Sequence, residues 1–190
     1  IIFMIGFVIL LVLVVSGATE DFDQAVYHAI ISLRSNFLDQ YFIHITRLGN
    51  TMMIIFVVLL FFVSFRNRYA LILIASAIDS FLLNTLIKVC VQRERPNVLR
   101  LISQGGYSFP SGHTMMAVCV YGYLLYLAFS CIKNKVLKYG VSVFLFLVIL
   151  SIGISRIYVG VHFATDVLAG YLFALSYLFL LIEVTKKVKV

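Results

Sequence analysis

Long apolar stretches alternate with short polar segments along most of the chain. A membrane-spanning helix needs about 20 predominantly apolar residues, and six stretches approach or reach that length. They cover residues 1–16, 52–65, 69–87, 111–130, 141–155 and 163–182. The pattern therefore predicts an all-α, polytopic membrane protein whose six transmembrane helices form a bundle.

The first stretch has two interpretations, because the sequence begins without Met. It is either a retained helix or a signal peptide cleaved near residues 16–18. No basic residue precedes the apolar run, as it would in a signal peptide. We therefore expect a retained helix.

Between the first two stretches, apolar residues recur at helical spacing beside charged ones. Val26, Ile30, Leu33 and Phe37 form this apolar face. We expect one amphipathic helix that lies on the outer membrane surface. A solvated loop with a helical turn or two is the alternative.

Composition excludes a soluble globular protein. Of the 190 residues, 63% are hydrophobic and 12% are charged, which is too little polar surface to coat a soluble domain. Residues 1–190 are therefore predicted to form a single membrane-embedded domain. A formal net charge of +7 would suggest nucleic acid in a soluble chain, but here the cations lie mainly at the ends of apolar stretches, where they contact lipid headgroups or phosphate. No nucleic-acid partner is predicted, and nothing in the pattern predicts an oligomeric state.

The distribution of Lys and Arg predicts the orientation, because these residues accumulate on the cytoplasmic side of membrane proteins. One face of the bundle carries Arg66, Arg68, Lys133, Lys135, Lys138, Lys186, Lys187 and Lys189. The other face carries the acid-rich residues 19–50 and three polar segments, residues 88–96, 110–113 and 155–166. We therefore expect a protein of the cytoplasmic membrane with these polar segments on the extracytoplasmic side. Four cations on that side depart from the rule and indicate an anionic ligand: Lys88, Arg93, Arg95 and Arg100.

The most informative polar segment spans residues 155–166. His162 and Asp166 are four residues apart, a spacing that places both on one face of a helix. A carboxylate that accepts from one imidazole nitrogen selects one tautomer and leaves the other nitrogen free to act as a nucleophile or base. The pair predicts chemistry at a membrane boundary, and a simple helix-capping pair is the alternative.

A second polar segment, residues 110–113, reads Pro-Ser-Gly-His and opens the fourth apolar stretch. The unpaired N–H groups and the positive dipole end of a helix N-terminus favour an anion there. Gly112 permits close approach of the backbone, and the Ser111 hydroxyl adds a donor. The alternative is that these residues only start a helix.

Three cations complete the predicted site. Lys88 ends the third stretch, Arg95 follows seven residues later, and Arg156 precedes His162 by six. A guanidinium can hold two phosphate oxygens and an ammonium a third. Taken singly, such cations could be interfacial side chains that snorkel, but together with the histidines they predict a phosphate site.

The two histidines are predicted to take different roles in phosphoryl transfer. We expect His162, oriented by Asp166, to attack phosphorus, and His113 to donate a proton to the leaving oxygen. The predicted phosphate-binding residues are Lys88, Arg95, Ser111, Gly112 and Arg156. No metal or other cofactor is predicted, because no cluster of Asp and Glu is present to hold a metal.

These residues resemble the three signature motifs of the type 2 phosphatidic acid phosphatase superfamily, which read KxxxxxxRP, PSGH and SRxxxxxHxxxD. All eleven specified positions match in order and spacing between Lys88 and Asp166. The resemblance implies a phosphohistidine on His162 and a general-acid role for His113. It also implies a membrane enzyme that hydrolyses phosphatidylglycerophosphate, phosphatidic acid or undecaprenyl diphosphate on the outer face of the cytoplasmic membrane.

Two other functions stay open on the sequence. A non-catalytic phosphate-lipid binder or transporter would need the cations but no oriented nucleophile, so the pair of His162 and Asp166 disfavours it. A haloperoxidase shares the motifs by resemblance, but the membrane composition argues against one.

Three residues near the polar segments have no predicted catalytic role. Asp79 is expected to be a buried structural carboxyl bonded to Asn84 or to a neighbouring helix. Tyr107 and Tyr158 could line a lipid entrance, although interfacial tyrosines are common without any function.

Overall fold

The computed structural model describes residues 1–97 and 99–187, and this part of the chain contains eight α-helices and no strand. The helices are α1 (Ile2–Val15), α2 (Glu20–Ser32), α3 (Asn36–Arg47), α4 (Thr51–Phe65), α5 (Arg68–Val91), α6 (Gly112–Cys131), α7 (Lys135–Tyr158) and α8 (Ala164–Lys187). The predicted all-α class is confirmed.

Four of the described helices, α5 to α8, are long and apolar enough to cross a membrane. α1 and α4 have 14 and 15 residues and reach the length of a span only together with a neighbouring helix. The chain bends by 96° between α1 and α2 and by 52° between α3 and α4. The protein is therefore a multi-span membrane protein, and the predicted six spans are reached if each bent pair counts as one span.

Helix α6 occupies the centre of the bundle, where it packs against α4, α5, α7 and α8. Met115, Val120 and Tyr123 on this helix are fully buried. The outer faces of α4, α5 and α7 stay apolar and exposed. This arrangement is expected for helices that contact lipid on one side and protein on the other.

The segment after α1 forms two helices, so the prediction of a single amphipathic helix is wrong. The backbone is extended at Ser35, and the Ser35 hydroxyl caps α3 by accepting from the Leu38 amide at 3.3 Å. This break divides the predicted apolar face, because Leu33 lies at the C-terminal end of α2 and Phe37 lies in α3. Both short helices lie at the same end of the bundle.

Seven Lys and Arg residues of the turns and of the end of α8 lie together at one end of the bundle, as the sequence predicts. Short turns join α4 to α5 and α6 to α7, so these helices run antiparallel. Arg66, Arg68, Lys133, Lys135, Lys138, Lys186 and Lys187 therefore lie at one end, and Lys189 is outside the described residues. The other end carries α2, α3, the loop at residues 92–111 and the turn between α7 and α8.

Asp79 on α5 differs from its prediction. Its carboxylate is exposed and accepts from the Tyr177 hydroxyl of α8 at 2.6 Å, so the bond to a neighbouring helix exists. Asn84 is not its partner, because five residues correspond to about 140° around a helix. Asn84 points to the other side of α5, toward α6.

Candidate active site

Two hydrogen bonds between distant parts of the chain join the polar segments. Asn84 of α5 donates its Nδ2 to the Pro110 carbonyl at 3.1 Å. The Ser111 amide, at the start of α6, donates to the Asp166 carbonyl near the start of α8 at 3.0 Å. These contacts bring the ends of three helices together at the end of the bundle that carries α2 and α3.

A cavity of about 140 Å³ lies between these segments, and five of the eight predicted site residues line it. The five are Lys88, Arg95, Gly112, His113 and His162, and the rest of the wall consists of Gly49, Thr51, Phe81, Asn84, Gln104 and Met116. Ser111, Arg156 and Asp166 are fully buried and do not line the cavity.

Two glycines in the wall are required by close packing. A Cβ at Gly112 would lie 2.7 Å from Asn84 Oδ1. A Cβ at Gly49 would lie 2.8 Å from Ile152 Cγ2 and 3.1 Å from His113 Cδ2. A side chain at either position would therefore require Asn84 or Ile152 to shift.

His162 lies in the turn between α7 and α8, with its side chain almost fully buried. Its Nε2 is 3.0 Å from Arg95 Nη1, and Nε2 must accept because a guanidinium only donates. The proton of the neutral ring is therefore on Nδ1, which lies 3.3 Å from Ser108 Oγ and 3.4 Å from Asp166 Oδ2. In this tautomer the Nε2 lone pair faces the cavity cations and accepts from Arg95.

The pKa of His162 is held well below its usual value. Burial away from water is the main cause, and the positive charges of Arg156, Arg95 and Lys88 lower it further. A hydrogen bond with the backbone of Ser108 acts in the opposite direction but has a smaller effect. The ring is therefore neutral at neutral pH and remains neutral below the pH at which a free imidazole titrates.

Asp166 is fully buried and held by donors on both carboxylate oxygens. Oδ1 accepts from Arg93 Nη1 at 2.7 Å, and Oδ2 accepts from the Phe163 amide at 2.8 Å and from the Ser108 hydroxyl. The predicted pair of His162 and Asp166 is thus in contact, and Ser108 contacts both of its members.

Lys88 and Arg95 bring positive charge to the cavity. Lys88 Nζ donates to the carbonyls of Tyr107 and Ser108. The carbonyls that accept from Arg95 belong to Gly105, Gly106, Tyr107 and Val161. Burial lowers the pKa of Arg95 to about 10, which still leaves it charged. Neither cation has a carboxylate partner among the described residues, and none of those residues form a group of three His, Cys, Asp or Glu that could hold a metal ion. The charge at this cavity is therefore supplied by side chains and is available to an anion.

Arg156 and Ser111 lie behind the wall of the cavity. Arg156 donates to Thr46 Oγ1 at 2.6 Å and to Gln104 Oε1 at 3.1 Å, and its buried Nε has no partner among the described residues. The Ser111 hydroxyl accepts from Thr114 Oγ1 at 2.9 Å. The structure thus brings both residues to the site without direct exposure to the cavity.

Arg93 and Ser108 contact the predicted site residues, although the sequence pattern does not predict them as part of the site. Arg93 forms ion pairs of 2.7 Å with both Asp166 and Asp23 of α2. In the sequence, Arg93 stands out only as one of four cations that depart from the positive-inside rule. The spacing of the arginines does not show which of them binds a carboxylate. Ser108 belongs to none of the motifs, and no sequence signal indicates its contacts.

The two flanking tyrosines have different environments. Tyr158 is 2% exposed, and its hydroxyl donates to Asp39 Oδ1 at 2.7 Å. It therefore attaches α3 to α7, and the interpretation as part of an entrance is wrong. Tyr107 is 38% exposed and contributes its carbonyl to both cavity cations.

Comparison with known proteins shows similarity to lipid phosphatases. Residues 69–189 match the model of the PAP2 superfamily. Phosphatidylglycerophosphatase B of Bacillus subtilis (strain 168) is 31% identical over 192 aligned residues, which cover 96% of this chain and 93% of that protein. The crystal structure of a transmembrane PAP2-type phosphatidylglycerolphosphate phosphatase from Bacillus subtilis has a TM-score of 0.89 at 30% identity and covers 98% of this chain and 96% of that chain. The crystal structure of Aquifex aeolicus LpxE has a TM-score of 0.71 at 28% identity, over 85% of this chain and 95% of that chain.

The family match and the structural likeness cover the parts of the chain that build the cavity. The matched region includes α5 to α8 and therefore all three polar segments. The similarity to the Bacillus subtilis structure extends over nearly the whole chain. The chain therefore belongs to the PAP2 superfamily and is a membrane phosphatase of that family.

Proposed function

We propose that this phosphatase removes phosphate from lipid phosphates through a phosphohistidine intermediate and without a metal ion. The expected substrates are phosphatidylglycerophosphate, phosphatidic acid and undecaprenyl diphosphate. The observation on which the proposal rests is the neutral His162, whose Nε2 accepts from Arg95 at 3.0 Å in the wall of a cationic cavity. The name of the Bacillus subtilis relative refers to a lipid phosphate, which supports this substrate class.

His162 is the proposed nucleophile. Its Nε2 lone pair forms a bond to phosphorus while the bond between phosphorus and the lipid oxygen breaks. His113 lines the same cavity and donates a proton to the departing oxygen. In the second step, water attacks phosphorus, the P–N bond breaks and its electron pair returns to Nε2. His113 takes the proton of that water, and inorganic phosphate is released.

The proposed phosphate-binding groups surround the position of the transferred phosphoryl group. Lys88 and Arg95 release their hydrogen bonds to the loop carbonyls and donate to the phosphoryl oxygens instead. Gly112 offers its amide at the N-terminus of α6, where the helix dipole also favours an anion. Ser111 occupies the N-cap position of that helix, and Arg156 acts as a positive charge from behind Gln104.

An apolar groove beside the cavity supports a lipid substrate. Its volume is about 360 Å³, and it runs along the outer surface between α4 and α5. Thr51, Phe81 and Met116 line both the groove and the cavity. A hydrocarbon chain in the groove would thus place its phosphate beside His162.

The charge pattern supports a proposal for the location of the protein. We propose that residues 1–190 form one domain of the cytoplasmic membrane, with the cavity on the extracytoplasmic side. The cation-rich ends of the helices lie opposite the cavity, which agrees with retention of Lys and Arg in the cytoplasm.

Phosphoenzyme trapping tests the proposed mechanism. Purified protein in a chelator-containing buffer is mixed with ³²P-labelled phosphatidic acid and quenched in base, which preserves phosphohistidine. We expect labelled protein and phosphate release from wild type and from His44→Ala, a control at an exposed histidine. We expect neither labelled protein nor phosphate release from His162→Ala. Labelling of the His162 variant would contradict a phosphohistidine at this position, and binding without phosphate release by wild type would favour the non-catalytic binder.

A further inference from the structure

We propose that Ser108 is a positioning residue that passes the orientation imposed by Asp166 on to His162. The inference rests on the proposed function, since it concerns the same nucleophile. Ser108 lies in the loop before α6 and is fully buried. It does not line the cavity, so a bound phosphate would not touch it.

The hydrogen bonds of the Ser108 hydroxyl have a defined direction. Its oxygen lies 3.3 Å from His162 Nδ1, and its proton is donated to Asp166 Oδ2. A hydroxyl has one proton, so the oxygen can only accept from the ring. The chain therefore runs from Nδ1–H to Ser108 and from Ser108 to the carboxylate, which is compatible with a single neutral tautomer of His162.

Asp166 is poorly placed to select this tautomer by itself. Its Oδ2 is 3.4 Å from Nδ1, slightly farther than Ser108 Oγ at 3.3 Å. Both contacts are longer than the usual 2.7–3.2 Å of an N–H···O bond, and of the two only the Ser108 contact has hydrogen-bond geometry. The carboxylate is also held by other donors, Arg93 at 2.7 Å and the Phe163 amide at 2.8 Å. Because these bonds restrain the carboxylate, Ser108 provides the link between it and the ring.

The role of Ser108 becomes greater when phosphate is bound. Arg95 restricts the tautomer by donating to Nε2, but Arg95 must leave Nε2 before that nitrogen can attack phosphorus. From then on, only the contacts on the Nδ1 side keep the proton away from Nε2. We therefore expect loss of the Ser108 hydroxyl to lower kcat and to leave KM nearly unchanged.

The backbone hydrogen bonds of Ser108 do not depend on its side-chain hydroxyl. Its carbonyl accepts from Lys88 Nζ at 3.1 Å, and its backbone also hydrogen-bonds with the His162 ring. Replacing the side chain keeps these contacts, so the variant isolates the hydroxyl. The remaining backbone contact is the reason to expect a partial loss of activity.

The test compares Ser108→Ala, Ser108→Thr and Ser103→Ala, the last at an exposed serine of the same loop. Steady-state hydrolysis of phosphatidic acid is measured in detergent micelles. We expect Ser108→Ala to lower kcat by about 10–100-fold, the range found when a hydrogen-bonding partner behind a metal-bound histidine is removed. KM should stay within about twofold, Ser108→Thr should recover most of kcat because it keeps the hydroxyl, and Ser103→Ala should behave as wild type.

A double-mutant cycle with Asp166→Asn tests the link itself. If the two residues act on His162 as one unit, Ser108→Ala should add little to the loss caused by Asp166→Asn. If the two losses multiply fully in the double variant, the proposed link through Ser108 is overturned. A kcat of Ser108→Ala within twofold of wild type, or an effect on KM alone, would overturn it as well. If Ser108→Thr has a lowered thermal midpoint because of its extra methyl group, the cycle decides.

Failure of this inference is distinguishable from failure of the proposed function. A fully active Ser108→Ala together with an inactive His162→Ala would overturn the role of Ser108 alone. An active His162→Ala would overturn the proposed mechanism, whatever the Ser108 variants do.

Discussion

Burial and neighbouring charge set the protonation state of His162, the proposed nucleophile. Its pKa lies well below the usual value because the ring is removed from water and faces three cations, Arg156, Arg95 and Lys88. A lowered pKa means that the protonated, unreactive form appears only in acid below the usual range. The acidic limb of kcat/KM should therefore lie at a lower pH than an ordinary imidazole of pKa about 6.5 would give.

Replacing Arg95 should move this acidic limb in a predictable direction. Loss of a neighbouring positive charge raises the pKa of His162, so Arg95→Gln should lose activity at a higher pH than wild type. Two unit charges about 4 Å apart interact by roughly 4 kcal/mol at an effective dielectric constant near 20, and we expect a shift of at least about one unit. The measurement is the pH dependence of residual kcat/KM on one substrate.

Arg95→Lys is the matched control, because it keeps the charge and removes the guanidinium. Both variants should lose activity, but only Arg95→Gln should show the shifted limb. Wild type and both variants act on the same substrate, so ionisation of the substrate contributes equally to the three pH profiles. Identical limbs in the two variants would show that the charge of Arg95 does not set the pKa of His162.

At the scale of elements, one carboxylate attaches the short helix α2 to the start of α8. Asp23 is 1% exposed and accepts from the Thr165 amide at 3.0 Å, from the Thr165 hydroxyl at 2.6 Å and from Arg93 at 2.7 Å. Arg93 in turn holds Asp166 and lies 4.5 Å from the centre of the Phe163 ring. Helix α2 is therefore part of the structure that supports His162, the proposed nucleophile.

Asp23→Asn should loosen α2. The amide keeps the shape of the side chain but lacks the charge and one acceptor oxygen, so at least one buried donor loses its partner. We expect a cost of about 1–3 kcal/mol, a lower thermal midpoint and faster hydrogen exchange in α2 than in α6. Asp21→Asn, at an exposed carboxylate in the same helix turn, should change neither. Unchanged exchange in the Asp23 variant would show that other contacts hold α2 in place.

At the scale of the whole molecule, the cavity lies at one end of the helix bundle. The Lys and Arg residues of the turns after α4 and α6 lie at the opposite end. The cavity is surrounded by α2, α3 and the loop at residues 92–111, whereas the turns after α4 and α6 and the end of α8 carry Lys and Arg. This asymmetry predicts which end remains in the cytoplasm.

Cysteine labelling in intact cells checks the predicted orientation. In a variant lacking Cys90, Cys119 and Cys131, a cysteine replaces either Asn97 or Asn134, both exposed. These sites leave the orienting charges unchanged. We expect an impermeant thiol reagent to modify Asn97→Cys from outside and to modify Asn134→Cys only after lysis. The reverse pattern would place the cavity in the cytoplasm.

Hydropathy and local motifs determined the larger features of this protein. Apolar stretches indicate membrane helices because unpaired backbone groups are too costly in lipid, and this physical constraint acts on each helix separately. Lys88, Arg95, Gly112, His113 and His162 could likewise be grouped by motif and spacing, and the structure places all five around one cavity. Local chemistry, such as the tendency of a helix N-terminus to attract an anion, is readable without knowledge of the packing.

Only the tertiary structure decided how these groups are supported. Arg93 reaches Asp23 across 70 positions of sequence, Ser108 reaches Asp166 across 58, and Asp79 pairs with Tyr177 across 98. Hydrogen bonds require heavy-atom distances near 3 Å, and such distances depend on the packing of whole helices. No local pattern carries that information, so the tautomer of His162 and the burial of Arg156 behind Gln104 follow from the folded chain alone.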